Sequence, residues 1–289
     1  MIDRFHITSW IRRRRAVRRR FNPYIAGTPV FDRQLFFGRE TLARRALRII
    51  ESRSLAVIGE RRIGKTSFLH HLGSALATDS SGERRYFPVF VDLEGVTARS
   101  LLHALMEEAL ESLAVPQATR DALRYAGWPS EYPAADFDHD VRRLAEGLGR
   151  QTQLPATLVF LIDEVDALRG GMARLLHGAS FAPLLADGSQ PLRAVLAGVG
   201  RDGVLEELEL EPFTPLAAEA LVREPVAGVY RYEPRAIELV LEASRLRPFA
   251  IQRICRNAVD RMLDDGRTTI RASDVGASGA EARRDVQCR

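Results

Sequence analysis

Hydrophobic residues along this chain fall into two kinds of pattern. Residues 157–162, Thr157 followed by five apolar side chains, read as a strand covered on both faces at the middle of a parallel sheet. Residues 55–58, 86–91, 192–197 and 208–210 are further short strand candidates. Between them the apolar positions recur every three or four residues. Leu42, Ala46, Ile49 and Ile50 share one helical face, and Phe68, Leu69, Leu72 and Leu76 another. Further helices are predicted over residues 101–113 and 141–148. Residues 127–135, crowded with proline and aromatic side chains, read as an irregular insertion. Strands alternating with helices predict a three-layer α/β domain with a parallel sheet.

From Pro212 onward the pattern predicts helices only. Residues 215–223 and 234–243 form two of them, the second grouping Ala236, Ile237, Val240 and Leu241. A third carries Ile251, Ile254, Cys255, Ala258, Val259 and Met262 at helical spacing. Thr269-Ile270 is a short extended piece, and Ser273-Asp274 a capped final turn. Upstream, Pro23, Gly27 and Pro29 break any long helix. The expected organisation is a basic arm and lead-in over 1–35, an α/β domain over 36–211, a small helical domain over 212–275 and a tail over 276–289.

Charge changes this picture at one end. The net charge of +4 is the sum of two unlike parts. Residues 1–20 hold eight arginines (Arg4, Arg12 to Arg15, Arg18 to Arg20) against Asp3 alone, a local +7. The remaining 34 basic and 37 acidic residues leave the body mildly acidic at −3. Such an arm can grip nucleic-acid phosphate or an acidic protein surface, or stay solvated; it lacks interleaved aromatics for base stacking. No apolar run approaches the roughly 20 residues that a membrane helix needs, and no apolar core follows the basic residues as in a secretory signal. With Cys255 and Cys288 as the only cysteines, a disulfide framework is not expected and a cytoplasmic setting is. His6, His70, His71, His103, His139 and His177 show no metal-ligand spacing; His70 and His71 read as helix-surface residues.

Of the 42 basic side chains only one, Lys65, is a lysine. It lies in Gly59-Glu60-Arg61-Arg62-Ile63-Gly64-Lys65-Thr66, the phosphate-loop pattern of two glycines separated by four residues and followed by Lys and Ser or Thr. A compact ammonium reaches β- and γ-phosphates there, where a planar guanidinium has the wrong shape. The loop follows a predicted strand and opens a predicted helix, whose N-terminus favours anions. About 100 residues later the apolar strand 157–162 delivers Asp163-Glu164-Val165-Asp166. These residues assemble the parts of nucleotide hydrolysis: a cradle for ATP or ADP over residues 59–67, Thr66 and Asp163 as Mg²⁺ ligands, and Glu164 as the base that polarises water. Asp166 reads as a helix-start cap.

The chain resembles the prokaryotic AAA-like ATPases related to the STAND class and the archaeal ATPase families. The residues that carry the likeness are Asn22-Pro23-Tyr24, Phe37-Gly38-Arg39-Glu40, the stretch from Gly59 to Ser67, Ile162 to Asp166, and Phe213-Thr214-Pro215-Leu216 with Glu219-Ala220. The resemblance implies a five-stranded P-loop domain with a helical lid. It implies an ATP-dependent switch or assembly factor in a signalling, defence or mobile-element system, acting on a protein partner or as a homo-oligomer. Two departures stand out. The strand before Gly198, Val199 and Gly200 leads to no polar residue that could sense a γ-phosphate, leaving Arg201 as a substitute. Where the family's lid carries Gly-x-Pro, this chain has Leu246-Arg247-Pro248, with Arg247 as a candidate phosphate contact. Both departures point to slow hydrolysis, or to nucleotide held chiefly as a structural or switching ligand. Arg61, Arg62 and Arg223 read as surface residues rather than arginine fingers. The alternatives are a DNA-binding regulator of transposition or initiator type, and a non-hydrolysing scaffold that holds nucleotide.

Overall fold

The computed structural model describes residues 21–79, 82–168, 170, 171, 185, 191–201 and 203–276. The arginines of residues 1–20, Cys288 and the expected tail beyond residue 276 lie outside the described residues. The chain divides into two units: Arg39–Glu211, and Met1–Gly38 with Pro212–Arg289.

The unit Arg39–Glu211 is built on strands β1 (Leu55–Ile58), β2 (Arg85–Asp92), β3 (Ala156–Asp163), β4 (Leu192–Gly198) and β5 (Glu206–Glu209). They form one five-stranded sheet in the order β2-β3-β4-β1-β5, every pairing parallel. All eight residues of β3 and all seven of β4 are buried, which accounts for their largely apolar sequence; the buried polar exceptions are Thr157 and Asp163 of β3 and Arg193 of β4. Because a strand's side chains alternate, the sheet presents two apolar faces. On one, Ala56, Val89, Phe160, Ile162 and Leu196 pack with Leu105 and Met106 of the helix Leu101–Ser112 and with Phe137 and Leu144 of the helix Ala134–Thr152. On the other lies the helix Lys65–Thr78, so close that a Cβ on Gly73 would meet Leu161 Cδ1 at 2.7 Å. Each large side chain buried here contributes about 1.5–3 kcal/mol, against 1 kcal/mol or less for an exposed ion pair such as Arg45–Glu206 at 3.0 Å. The core therefore dominates the stability of this unit.

Several elements differ from the sequence reading. The helix predicted over 141–148 runs over Ala134–Thr152, so its first two residues lie inside the expected irregular insertion. Its Asp140 is fully buried and accepts hydrogen bonds from Arg124 N (2.8 Å), Tyr125 N (2.9 Å), the Tyr132 hydroxyl (2.9 Å) and His139 Nδ1 (3.0 Å). The insertion is thus tied down by a polar core residue. The last strand is Glu206–Glu209 rather than 208–210, its register set by pairing with β1 from Leu55↔Glu206 to Ile58↔Glu209. His71 is buried, not a surface residue, and His70 stacks on Phe90 of β2 with ring centroids 4.0 Å apart.

In the other unit the helices Pro215–Arg223, Pro234–Ser244 and Pro248–Asp264 bury Ala218, Leu221, Ile237, Val240, Ile254 and Ala258 against one another. Proline opens each helix, where its missing N–H costs nothing. Thr214 caps the first by accepting from Ala217 N. This unit is not helical throughout. Arg231–Tyr232 (β6) pairs in parallel with Thr269–Ile270 (β7). The lead-in also belongs here. Asn22 Nδ2 donates to Arg256 O and Asp260 Oδ1, both at 2.7 Å, and Ile25 N donates to Gln252 Oε1 at 3.1 Å. Tyr24 is buried, with its hydroxyl donating to Val222 O.

Candidate nucleotide site

The four buried residues of β1 end at Ile58, and the chain turns through Gly59–Gly64 into the helix Lys65–Thr78. Gly59 sits where the loop crosses Leu210. A Cβ there would lie 2.8 Å from Leu210 O and 3.0 Å from Ile63 Cγ2. Ile63 is 2% exposed and pins the loop to the core, which gives its apolar side chain a purpose in an otherwise polar loop. Gly64 occupies the N-cap position in the left-handed region, φ +104°, and offers no side-chain cap to the helix. The positive end of the helix is left for an anion to complete.

Lys65 is buried to 8% exposure, and its Nζ donates to Gly59 O at 2.9 Å and Glu60 O at 3.0 Å. Burial holds this ammonium below the usual lysine range, against the pull of Glu164, Asp166 and Asp163. The charge is therefore stored beside loop carbonyls that an arriving phosphate can replace.

The carboxylates come from β3. In the sheet β3 is separated from β1 by β4 alone, so the strand ends bring residues 59–67 and 163–166 to one side of the same unit. Asp163, 3% exposed, accepts from Glu164 N at 2.9 Å. Glu164 adopts a left-handed conformation, φ 51°, and is exposed. A non-glycine residue held in this region costs of order 1 kcal/mol, the kind of strain that collects at functional turns. Thr66, half-buried in the first helical turn, and Asp163 supply hard oxygen donors of the type Mg²⁺ takes. Among the described residues no three His, Cys, Asp or Glu side chains gather around one point. Most of a magnesium's coordination would accordingly fall to phosphate oxygens and water, as that ion prefers.

Arg61 and Arg62 are exposed. Arg223 pairs with Glu219 at 2.6 Å on its own helix. Arg247 stands at the N-cap of Pro248–Asp264 in the helical unit. Arg201, the expected substitute sensor, is engaged instead by Glu207 at 3.3 Å and by Glu209. Asp166 lies inside the short turn Val165–Ala167, and its Oδ2 accepts from Val199 N at 2.6 Å, at the end of β4. Arg39, in the Gly-Arg-Glu stretch, is also buried. Its guanidinium donates to Glu211 O, and burial lowers its pKa to about 10. The bond of Asp166 spans 33 residues, which no local pattern encodes.

Comparison with known proteins fits this geometry. The sequence profile described as AAA domain matches residues 49–201, more than half of the chain. A chain of Drosophila ORC bound to DNA superposes with a TM-score of 0.62 at 14% identity, covering 90% of this chain and 63% of that one. This chain thus spans less than two thirds of that relative. A Walker-type ATPase of Pyrococcus abyssi gives a TM-score of 0.62 at 17% identity, with 90% and 76% covered. ORC2 of Aeropyrum pernix, in ADPNP and ADP complexes, gives 0.58 at 15% identity, with 87% and 72% covered. At these identities the likeness concerns the fold. No curated protein matches the sequence. No helix of the described residues is long and apolar enough to cross a membrane.

Proposed function

The chain belongs to the AAA domain family of P-loop ATPases, and we propose that its site over Gly59–Ser67, Asp163 and Glu164 binds and slowly hydrolyses ATP. The observation that carries this reading is the single lysine ammonium, held on loop carbonyls at 2.9 and 3.0 Å and within electrostatic reach of three carboxylates. Lys65 transfers its bonds from Gly59 O and Glu60 O to the β- and γ-phosphates, while the amide groups of the loop and first helical turn take the remaining phosphate oxygens. A bound Mg²⁺ would offset the charge developing on those oxygens. Thr66 and Asp163 are the residues that would hold it. Glu164, turned outward by its left-handed backbone, accepts the proton of the attacking water as the bond to the leaving ADP breaks. The nucleotide state then passes to the helical unit and, through it, to a protein partner or second copy.

Calorimetric titration with ATP and ADP, together with phosphate release in Mg²⁺ and in EDTA, tests the proposal. Lys65→Ala is expected to bind at least about tenfold more weakly, the loss of a charge-assisted contact. Glu164→Gln keeps its affinity and loses turnover. Nucleotide affinity unchanged in Lys65→Ala removes the reading; turnover unchanged in Glu164→Gln removes only the base.

A second reading, a DNA-binding regulator, is favoured by the arginines among residues 12–20 and by the likeness to an ORC chain that is bound to DNA. Deletion of residues 1–20 should abolish DNA affinity that falls steeply with salt. Binding that is equal with and without the arm excludes it.

A further inference from the structure

One peptide unit joins the two halves of the site. The carbonyl of Gly198 accepts from Gly59 N at 3.2 Å, at the first residue of the phosphate loop. The amide on the other side of the same bond, Val199 N, donates to Asp166 Oδ2 at 2.6 Å. The Gly198–Val199 peptide is therefore held at one edge by the loop and at the other by the acidic turn after β3. Its position follows from the register: Ile58 pairs with Gly198, and β4 is the strand lying between β1 and β3. No side chain here could play the part. Gly198 and Gly200 have none, and Val199 is apolar with its side chain exposed. Only backbone groups are left at the strand end, and Asp166 fixes their orientation.

We infer that Asp166 is a positioning residue: through the Gly198–Val199 peptide it sets the spacing between the phosphate loop and the Asp163–Glu164 turn, so that the site distinguishes ATP from ADP without a polar sensor side chain. The inference rests on the reading of this site as an ATP site. ADP needs only the loop. A γ-phosphate and its attacking water must meet both the loop and the acidic turn, so an error in their spacing weighs on ATP alone. The contact is a charge-assisted amide-to-carboxylate bond, the stronger class of hydrogen bond, although Asp166 is exposed and water competes for it.

The test compares wild type, Asp166→Ala, Asp166→Asn and Lys65→Ala. It measures affinity for ADP and for a non-hydrolysable ATP analogue, kcat for phosphate release, and melting temperature. Asp166→Ala should keep its ADP affinity within about twofold while losing about tenfold in analogue-over-ADP preference and in kcat. Asp166→Asn, whose amide oxygen accepts the same bond, should restore most of both. A wild-type preference in Asp166→Ala overturns the inference. So does Asp166→Asn behaving like Asp166→Ala, or a parallel loss of ADP affinity and melting temperature, which would mark a structural role alone. If Lys65→Ala binds nucleotide as tightly as wild type, the reading of the site falls as well; if Lys65→Ala is impaired and Asp166→Ala is not, only the present inference falls.

Discussion

The hydroxyl of Tyr132 donates to Asp140 Oδ2 at 2.9 Å, joining the start of the helix Ala134–Thr152 to the aromatic segment before it. Asp140 is fully buried, and two backbone amides of the 124–125 turn share the same carboxylate. Removing the acceptor strands those donors in a low-dielectric interior. Asp140→Ala is expected to lower unfolding free energy by about 3 kcal/mol and Tyr132→Phe by about 1 kcal/mol, read by urea denaturation. A loss below about 1 kcal/mol for Asp140→Ala would mean that water replaces the carboxylate.

Gly59 is the loop position with least room. In Gly59→Ala the new methyl meets a backbone carbonyl, which cannot rotate away. The loop must shift, at a cost of about 1–3 kcal/mol. Nucleotide affinity should fall with it, while the helical unit keeps its own melting transition. Calorimetric scanning checks both.

Lys65→Arg separates charge from shape. In a chain whose every other basic side chain is Arg, restoring the charge as a guanidinium should leave ATP affinity at least about tenfold below wild type. Titration giving wild-type affinity would show that position 65 asks only for positive charge.

Cys255 is fully buried beside Tyr24 and Tyr232, and burial pushes its pKa up to about 12. The reactive thiolate is therefore scarce at neutral pH, and its share grows only as pH rises towards that value. In a Cys288→Ser variant, native protein should resist a thiol reagent at pH 8 and react fully in denaturant. Rapid labelling of the native form would indicate that this core opens readily.

The segment around Asn22 closes bonds across 234 and 238 residues of sequence. Asn22→Ala should destabilise the helical unit by about 1–2 kcal/mol, without changing nucleotide affinity in the other unit. Hydrogen exchange at Arg256 and its neighbours would report it.

How much was legible depends on which interactions fix each element. β1 (Leu55–Ile58), the helix Pro215–Arg223 and β7 (Thr269–Ile270) were readable to the residue, because apolar runs and flanking proline are local signals. The turn from β1 into the helix Lys65–Thr78 and the end of β3 at Asp163 were readable because their flanking elements are local signals too. The first turn of Ala134–Thr152 was hidden by its polar residues, since Asp136, Asp138 and Asp140 look solvent-facing until one of them is found buried. β5, with three glutamates in four residues, has no apolar signature and is held in place by its partner strand. The lead-in and Asp166 depend on contacts distant in sequence, and periodicity carries no information about those.

The two rims of the large sheet are not alike, but they have the same effect. β5 lines its rim with Glu206, Glu207 and Glu209, matched to Arg45, Arg53 and Arg201. β2, on the far side, contains Pro88, which withholds an amide from any ladder. A neighbouring polypeptide that tried to continue the sheet would have to strip water from paired charges on one margin and meet a missing donor on the other. Copies of this domain crowded together are thus steered away from edge-to-edge fibre growth.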